Sequence, residues 1–306
     1  TLFRSPAGAV VAPVLMILGL PAANAGAFIA MAGILGMIAP PVNIPAMIIG
    51  GGIDMPFVGF EVPLLLLTMP LALVFSWVFG MRHIKKTDWE TLSKRLDLAT
   101  YERYGIRLFL PILIVAALMV LGKAVPGVFS LGLPVTFLLG AALGAVVGKR
   151  FNVLKAAKAA VGDALPVLGI LAGVGMFIQV MTLTGVRGFV VVSALSVPPA
   201  LLFVAIAVTI PLFGAVSSFG AASVLGVPFL LALLGRDQIV TAAALSLVAS
   251  LGDFMPPTAL SAIFAAQVVG EQRYSTVLRK LVLPAVAVAA WALLFIAFSK
   301  QIRAMY

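Results

Sequence analysis

Apolar runs separated by short polar loops dominate the pattern of this chain. Residues 62–81, 133–148 and 281–298 are three such runs, and each approaches or reaches the roughly 20 residues that an α-helix needs to cross a bilayer. The alternating strands and aromatic girdles of an outer-membrane barrel are not visible in the sequence. The pattern therefore predicts an all-α polytopic membrane protein.

Composition and charge agree with this prediction. Hydrophobic residues make up 63% of the chain and charged residues only 10%, against roughly 25% in a soluble domain, because ionised groups are costly to place in hydrocarbon. The net charge of +10 comes from basic residues in short loops, as the positive-inside rule expects. We therefore expect the lipid bilayer as a partner and no nucleic acid. Since cysteine is absent, a thiolate nucleophile, a disulfide and a cysteine metal site are all excluded.

An internal repeat is the strongest signal of organisation. Residues 36–47 read GMIAPPVNIPAM and residues 252–263 read GDFMPPTALSAI, and long apolar stretches around both segments also align. At an offset of 216 the aligned pairs are Gly36 with Gly252, Pro40 with Pro256 and Pro41 with Pro257; at an offset of 214 they are Pro70 with Pro284 and Trp77 with Trp291. Two copies of one membrane unit are therefore predicted.

This repeat divides the chain into four parts. They are 1–5, interpreted as a translated sequencing adapter; 6–81, the C-terminal part of repeat one; 82–106, a cytoplasmic linker with an amphipathic surface helix; and 107–303, repeat two. We expect the first half of repeat one to be missing, so that the chain is a fragment of a longer protein. The linker is assigned to the cytoplasm because it is rich in lysine and arginine.

Repeat two is predicted in more detail. We expect helices at 107–123, 132–148 and 163–183, a re-entrant hairpin at 199–234 with its tip at Ser217 and Ser218, a broken helix at 238–270 and a last helix at 277–299. Each hairpin leg is too short to span comfortably. The repeat then crosses the membrane an odd number of times, which makes the two repeats inverted and puts the C-terminus outside. The basic residues Lys300 and Arg303 argue against that placement of the C-terminus.

The Pro-Pro pairs predict where solute and ion bind. Two successive prolines stop a helix, and the freed backbone groups survive in a membrane only where protein buries them or a cavity exposes them. Paired interruptions at matching positions of two halves are typical of transporter binding sites, since half-helix N-termini attract anions and unwound carbonyls can hold Na⁺. The candidate residues are Pro40, Pro41 and Asn43 at the first break, Asp253, Pro256, Pro257, Thr258 and Ser261 at the second, and Ser217, Ser218 and Gly220 at the hairpin tip. Na⁺ is expected near Ser217, Ser218, Gly252 and Thr258.

Simpler roles are also open for these residues. The Pro-Pro pairs are compatible with plain kinks, the two serines with helix caps or bonds to i−4 carbonyls, Asn43 with satisfying freed backbone, and Thr258 with an N-cap. A carboxylate at membrane depth is expensive, so Asp253 either couples transport to an ion or caps a helix and lines a cavity.

Three motifs carry a resemblance to a known family. The hairpin SSFGAASVLGVPF and the breaks GMIAPPVN and GDFMPP resemble, in that order of recurrence, the large membrane subunit of TRAP (tripartite ATP-independent periplasmic) transporters, within the ion transporter superfamily. The resemblance covers nearly all of residues 6–303. Two departures leave the substrate and the ion ligands open: the first break reads PPVN where the family often has PPS, and the second reads MPPTA rather than TPPVG.

The resemblance implies an elevator-type carrier in the cytoplasmic (inner) membrane of a bacterium or archaeon. A transport domain of two hairpins and two broken helices would slide against the remaining helices. It further implies a small organic-acid substrate, Na⁺ as the coupling ion with no other cofactor, a small membrane subunit and a periplasmic substrate-binding protein.

Other functions compete with this one. A carrier of the same superfamily that needs no binding protein, coupled to Na⁺ or, through Asp253, to H⁺, is the main alternative. A channel would show single-channel currents. We do not expect an enzyme, because metal-dependent intramembrane enzymes need His/Glu clusters, whereas the chain has one histidine, His83, in a charged loop.

Overall fold

The computed structural model describes residues 6–84, 105–124, 132–148, 152–256 and 259–306, and these residues form helices and connecting turns without a strand. In chain order the helices are α1 (Pro6–Ile17), α2 (Ala22–Ile38), α3 (Ile44–Gly51), α4 (Glu61–Met81), α5 (Leu110–Ala124), α6 (Gly132–Val147), α7 (Val153–Leu183), α8 (Val186–Leu195), α9 (Pro199–Gly214), α10 (Ser218–Ala232), α11 (Gln238–Ser250), α12 (Leu260–Val268), α13 (Tyr274–Ala297) and α14 (Ser299–Arg303). The chain divides into two compact units, one of residues 1–87 and 170–306 and one of residues 88–169.

The smaller unit is built on α5 and α6. These two helices pack against each other at a point where α6 carries Gly140, and a Cβ atom added there would overlap the side chain of Val115. A small residue thus lets two membrane-type helices approach closely. Most of the predicted linker, residues 85–104, lies outside the described residues, and so do residues 1–5.

In the larger unit, a proline ends both α2 and the 3-10 turn that follows α11. Ala39 follows α2 with φ −60° and ψ 146°, and Met255 follows the 3-10 turn Leu251–Phe254 with φ −87° and ψ 133°. Each of these residues precedes a proline, which pushes the preceding residue away from helical angles towards an extended conformation. Both breaks therefore have the same local cause.

The repeat offset is visible in the helix starts. α2 begins at Ala22 and α11 at Gln238, while α3 begins at Ile44 and α12 at Leu260, so both pairs are 216 residues apart. α2–α3 and α11–α12 are thus corresponding broken helices, hereafter the first and second broken helix. α4 and α13 follow them in the same order, with Pro70 and Pro284 inside them.

Some helix bounds differ from those predicted. α7 begins ten residues earlier than the predicted start at 163, and α8 is a helix that we did not expect. α8 packs against α10, and packing of this kind, rather than local propensity, supplies most of the stability of a short helix. The last long helix covers Tyr274–Ala297 rather than 277–299.

The core of the larger unit surrounds α11. Every residue from 240 to 252 is buried, as expected for a helix that is apolar on all sides. α11 packs against α2, α3, α4, α9 and α13. The second broken helix is therefore held in the middle of this unit.

Among the described residues, two helices are long and apolar enough to span a membrane, namely Glu61–Met81 and Tyr274–Ala297. Shorter apolar helices accompany them, including Ala22–Ile38, Ser218–Ala232 and Gln238–Phe254. Broken helices and hairpin legs are expected to be short in this way, because each covers only part of the hydrocarbon thickness.

Candidate functional site

The tip of the hairpin is a turn between α9 and α10. Ser217 caps α10: its backbone is extended and its Oγ accepts a hydrogen bond from the Gly220 backbone N–H at 3.0 Å. The simpler role considered for Ser217, that of a helix cap, is thus present in the structure. Ser218 is buried, with 6% of its surface exposed.

The second break lies directly against this tip. The Ser218 hydroxyl lies close enough to the carboxylate of Asp253 to interact with it. Asp253 lies in the 3-10 turn Leu251–Phe254 and is partly buried. A Cβ atom added to Gly214, at the end of α9, would lie 2.8 Å from the Gly252 Cα and 3.1 Å from the Ala249 carbonyl oxygen. Glycine at both positions lets the hairpin and the break make backbone contact.

The first break meets the same tip through α3. The first turn of α10 packs against both α3 and the turn Leu251–Phe254. Further along α10, a Cβ atom added to Gly226 would lie 2.8 Å from Ile49 Cγ1 in α3. The hairpin tip is therefore in contact with both broken helices.

Asn43 is the polar residue of the first break, and its side chain is fully buried. Its Oδ1 accepts a hydrogen bond from the Ala46 N–H at 2.8 Å and so caps α3. Its Nδ2 donates to the Ile38 carbonyl oxygen at 3.1 Å and to Ser246 Oγ at 2.9 Å. Asn43 thus satisfies the backbone freed by the prolines, which was the simpler role considered for it.

The other predicted site residues at the two breaks are partly buried, exposed, or outside the described residues. Pro40 and Pro41 are partly buried and joined by a cis peptide bond. Pro256 is exposed, and Ser261 is partly buried in the first turn of α12. Pro257 and Thr258 lie outside the described residues. Of the positions predicted around Na⁺, the structure brings Ser217, Ser218 and Gly252 together.

Comparison with known proteins identifies the family. Residues 5–302 match the family described as "Tripartite ATP-independent periplasmic transporter, DctM component". The chain belongs to this family. The resemblance noted from the hairpin and the two breaks is therefore confirmed, and the DctM chain is a multi-pass component of a membrane transporter. Neither the curated proteins nor the solved structures gave a significant match.

Sequence reasoning missed two contacts of this site and one contact elsewhere in the larger unit. They are the Gly214–Gly252 backbone contact, the Asn43–Ser246 hydrogen bond, and a bond from Trp291 Nε1 to the Leu67 carbonyl oxygen at 3.0 Å. Gly214 lies three residues before Ser217 in the sequence, which is a usable signal. Ser246 looks like any small residue on a buried helix, and nothing in the local sequence points to it.

The chemistry that the DctM site can perform follows from its groups. α10 begins at the tip, directly after its cap Ser217, and its first turn packs against α3. A helix N-terminus carries unpaired N–H groups and a partial positive charge. Asp253 supplies a carboxylate oxygen, which is the kind of ligand that hard cations prefer. The arrangement therefore offers both an anion-attracting and a cation-attracting group.

Proposed function

We propose that this DctM chain is the membrane permease of a Na⁺-coupled secondary transporter that takes up small organic anions, such as dicarboxylates, together with a periplasmic binding protein and a small membrane subunit. Its membrane is then the cytoplasmic (inner) membrane. The observation that carries the proposal is the contact of Ser218 with Asp253 at a hairpin tip that also touches α3. Family membership supports the transporter class.

In this proposal the N-termini of α3 and α10 attract the carboxylates of the solute. The backbone N–H groups and the partial positive charge of a helix N-terminus attract an anion. The proposed anion site therefore needs no buried lysine or arginine. Na⁺ binds on the other side of the tip, with Asp253 and the backbone around Gly252 and Ser217 as ligands. Na⁺ neutralises the carboxylate of Asp253, which Ser218 contacts. Ion binding is therefore linked to the position of Ser218.

Packing within the larger unit supports the inverted repeat. α2 packs against α12, and α3 packs against α11, so the first half of each broken helix contacts the second half of the other. α1 packs against α12. α10, which corresponds to α1 at the offset of 216, packs against α3. The two first halves, α2 and α11, also touch. The exchanged contacts between first and second halves are those that two copies running in opposite directions make.

The same packing refines the elevator proposal. α4 and α13 pack on both broken helices, and Trp291 of α13 is hydrogen bonded to α4. We therefore assign α4 and α13 to the moving transport domain together with the hairpin and the broken helices. The sequence-based expectation had counted only hairpins and broken helices in that domain.

A second candidate is a carrier that needs no binding protein and is coupled to H⁺. Asp253 favours it, because a partly buried carboxylate within reach of a hydroxyl is also a proton acceptor. Flux in liposomes that contain the membrane protein alone, driven by a pH gradient, would establish this candidate and exclude the first.

The test is uptake of a labelled dicarboxylate into liposomes that contain the full-length carrier and its small subunit. We expect uptake only with a Na⁺ gradient and the binding protein. Asp253→Asn should raise the Na⁺ concentration for half-maximal uptake by about tenfold or more, since losing a charged ligand costs roughly 1.5–3 kcal/mol.

Asp54→Asn is the matched control, because Asp54 is exposed beyond the end of α3. It should leave the Na⁺ dependence unchanged. Uptake that needs no Na⁺, or an Asp253→Asn carrier with the Na⁺ dependence of the parent, would refute the assignment of Na⁺ to this tip.

A further inference from the structure

The side chain of Asn43 is engaged within the protein through its carbonyl oxygen and through both amide hydrogens. Its carbonyl oxygen caps α3, and its two amide hydrogens go to the Ile38 carbonyl oxygen and to Ser246 Oγ. Asn43 and Ser246 both have 0% exposure. Asn43 therefore holds other groups in place rather than binding solute directly.

Ser246 connects this break to the other repeat. It lies in the buried middle of α11, and its own hydroxyl donates to the Ala243 carbonyl oxygen at 2.7 Å. The bond from Asn43 joins residues 203 positions apart. Since both groups are shielded from water, breaking their bond leaves a buried amide hydrogen without a partner, which is costly.

The second repeat provides an internal comparison. At the offset of 216, Asn43 corresponds to Ala259 and Ser246 corresponds to Ala30, and both alanines are buried. The equivalent side chains of the second break, Ala259 and Ala30, therefore cannot form a hydrogen bond with each other. Ala259 precedes α12 without a side-chain cap and has φ +39°, a strained value for a non-glycine residue.

We propose that Asn43 and Ser246 form a positioning pair, which fixes the first break against α11, and that the second break is the half of the site that adjusts when solute binds. The proposal rests on the proposed transport function. The first break then presents the N-terminus of α3 at a constant position. On the other side of the site, Ala259 with its strained backbone and Asp253 supply the movement.

Hydrogen exchange on the purified carrier tests the pair without any transport measurement. Ser246→Ala removes the acceptor from Asn43, and we expect the Ala46 amide, which Asn43 caps, to exchange about fivefold faster, as for the loss of one net hydrogen bond. Asn43→Ser should do the same, because serine can still cap α3 but is too short to reach α11. Exchange around Gly252 should not change.

Ser250→Ala is the matched control. Ser250 is equally buried one turn further along α11, and its hydroxyl donates to the Leu247 carbonyl oxygen just as Ser246 donates to Ala243. It should leave exchange at Ala46 unchanged. Equal effects of Ser246→Ala and Ser250→Ala, or faster exchange at both breaks together, would overturn the positioning pair.

A second variant adds the missing pair to the second break. Ala259→Asn with Ala30→Ser places the same two groups at the equivalent positions, and asparagine is common at positive φ. We expect slower exchange in the first turn of α12, and a maximal uptake rate about fivefold lower with an unchanged KM, since one added hydrogen bond must break in each cycle. An unchanged maximal rate together with the slower exchange would refute the role given to the second break. Absent uptake in the parent carrier would instead count against the transport proposal.

Discussion

At the residue scale, two tryptophans in equivalent repeat positions differ in their partners. Trp291 Nε1–H donates to the Leu67 carbonyl oxygen at 3.0 Å and so joins α13 to α4, whereas Trp77 is 56% exposed. Trp291→Phe should therefore lower the free energy of unfolding by about 0.5–1.5 kcal/mol, the net value of one hydrogen bond. Thermal unfolding in detergent measures this.

Trp77→Phe serves as the control for Trp291→Phe and should shift the melting temperature very little, because an exposed side chain at the lipid surface keeps a similar apolar area as phenylalanine. A shift as large as that of Trp291→Phe would mean that ring size, and not the bond to α4, decides the stability of the tryptophan positions.

Residues whose chemistry depends on local spacing were predictable from the sequence. Ser217, Ser218, Asn43 and Asp253 follow a helix end that glycine or proline marks in the chain, and the structure places them at such ends. The partners Ser246 and Leu67 were not predictable, because they lie 203 and 224 positions away from the residues that they bind. Long-range partners of this kind depend on the packing of helices, which the sequence pattern does not specify.

At the scale of helices, the contact between α9 and the second break depends on glycine. A Cβ atom added to Gly252 would overlap the backbone of Gly214, while one added to Gly36, its equivalent in the first repeat, has no atom within 4 Å among the described residues. Gly252→Ala should therefore destabilise the chain by roughly 1–3 kcal/mol, as for other overpacked sites. Gly36→Ala should be neutral or stabilise it by up to about 1 kcal/mol, since alanine favours helix.

Chemical or thermal unfolding of the two glycine variants of the 306-residue chain distinguishes these outcomes. A Gly252→Ala chain as stable as the parent would show that α9 can move away from the break at no cost. The backbone contact would then not define the geometry of the tip.

Helix positions show what the pattern of the chain can and cannot predict. The Pro-Pro pairs and the offset of 216 were sufficient to locate both broken helices, because proline acts on its own neighbours. The pattern missed α8 and the first ten residues of α7. α8 contains Arg187 and Gly188, which weaken a helical pattern, and its contact with α10 is a tertiary effect.

At the scale of the whole molecule, the start of the second broken helix is tied to the end of the second repeat. Arg236 Nη1 donates to the Ala297 carbonyl oxygen at 2.6 Å, and Arg303 Nε lies 3.8 Å from Asp237 Oδ2. The start of α11 and the end of α13 are therefore on one side of the membrane. Arg236 thus adds a third basic residue to Lys300 and Arg303 at this end. The positive-inside rule therefore favours a cytoplasmic C-terminus, whereas the odd number of crossings predicted for repeat two places it outside.

The inverted repeat predicts that corresponding loops face opposite sides of the membrane. Pro21 precedes α2 and Leu234 precedes α11, and both are exposed. Because these 306 residues contain no cysteine, Pro21→Cys and Leu234→Cys each place a single thiol in them that a membrane-impermeant maleimide can label. With the basic linker in the cytoplasm, we expect Pro21→Cys to react in inside-out vesicles and Leu234→Cys in right-side-out vesicles. Labelling of both from the same side would mean that the two copies are parallel, and the exchanged contacts of the broken helices would then need another cause.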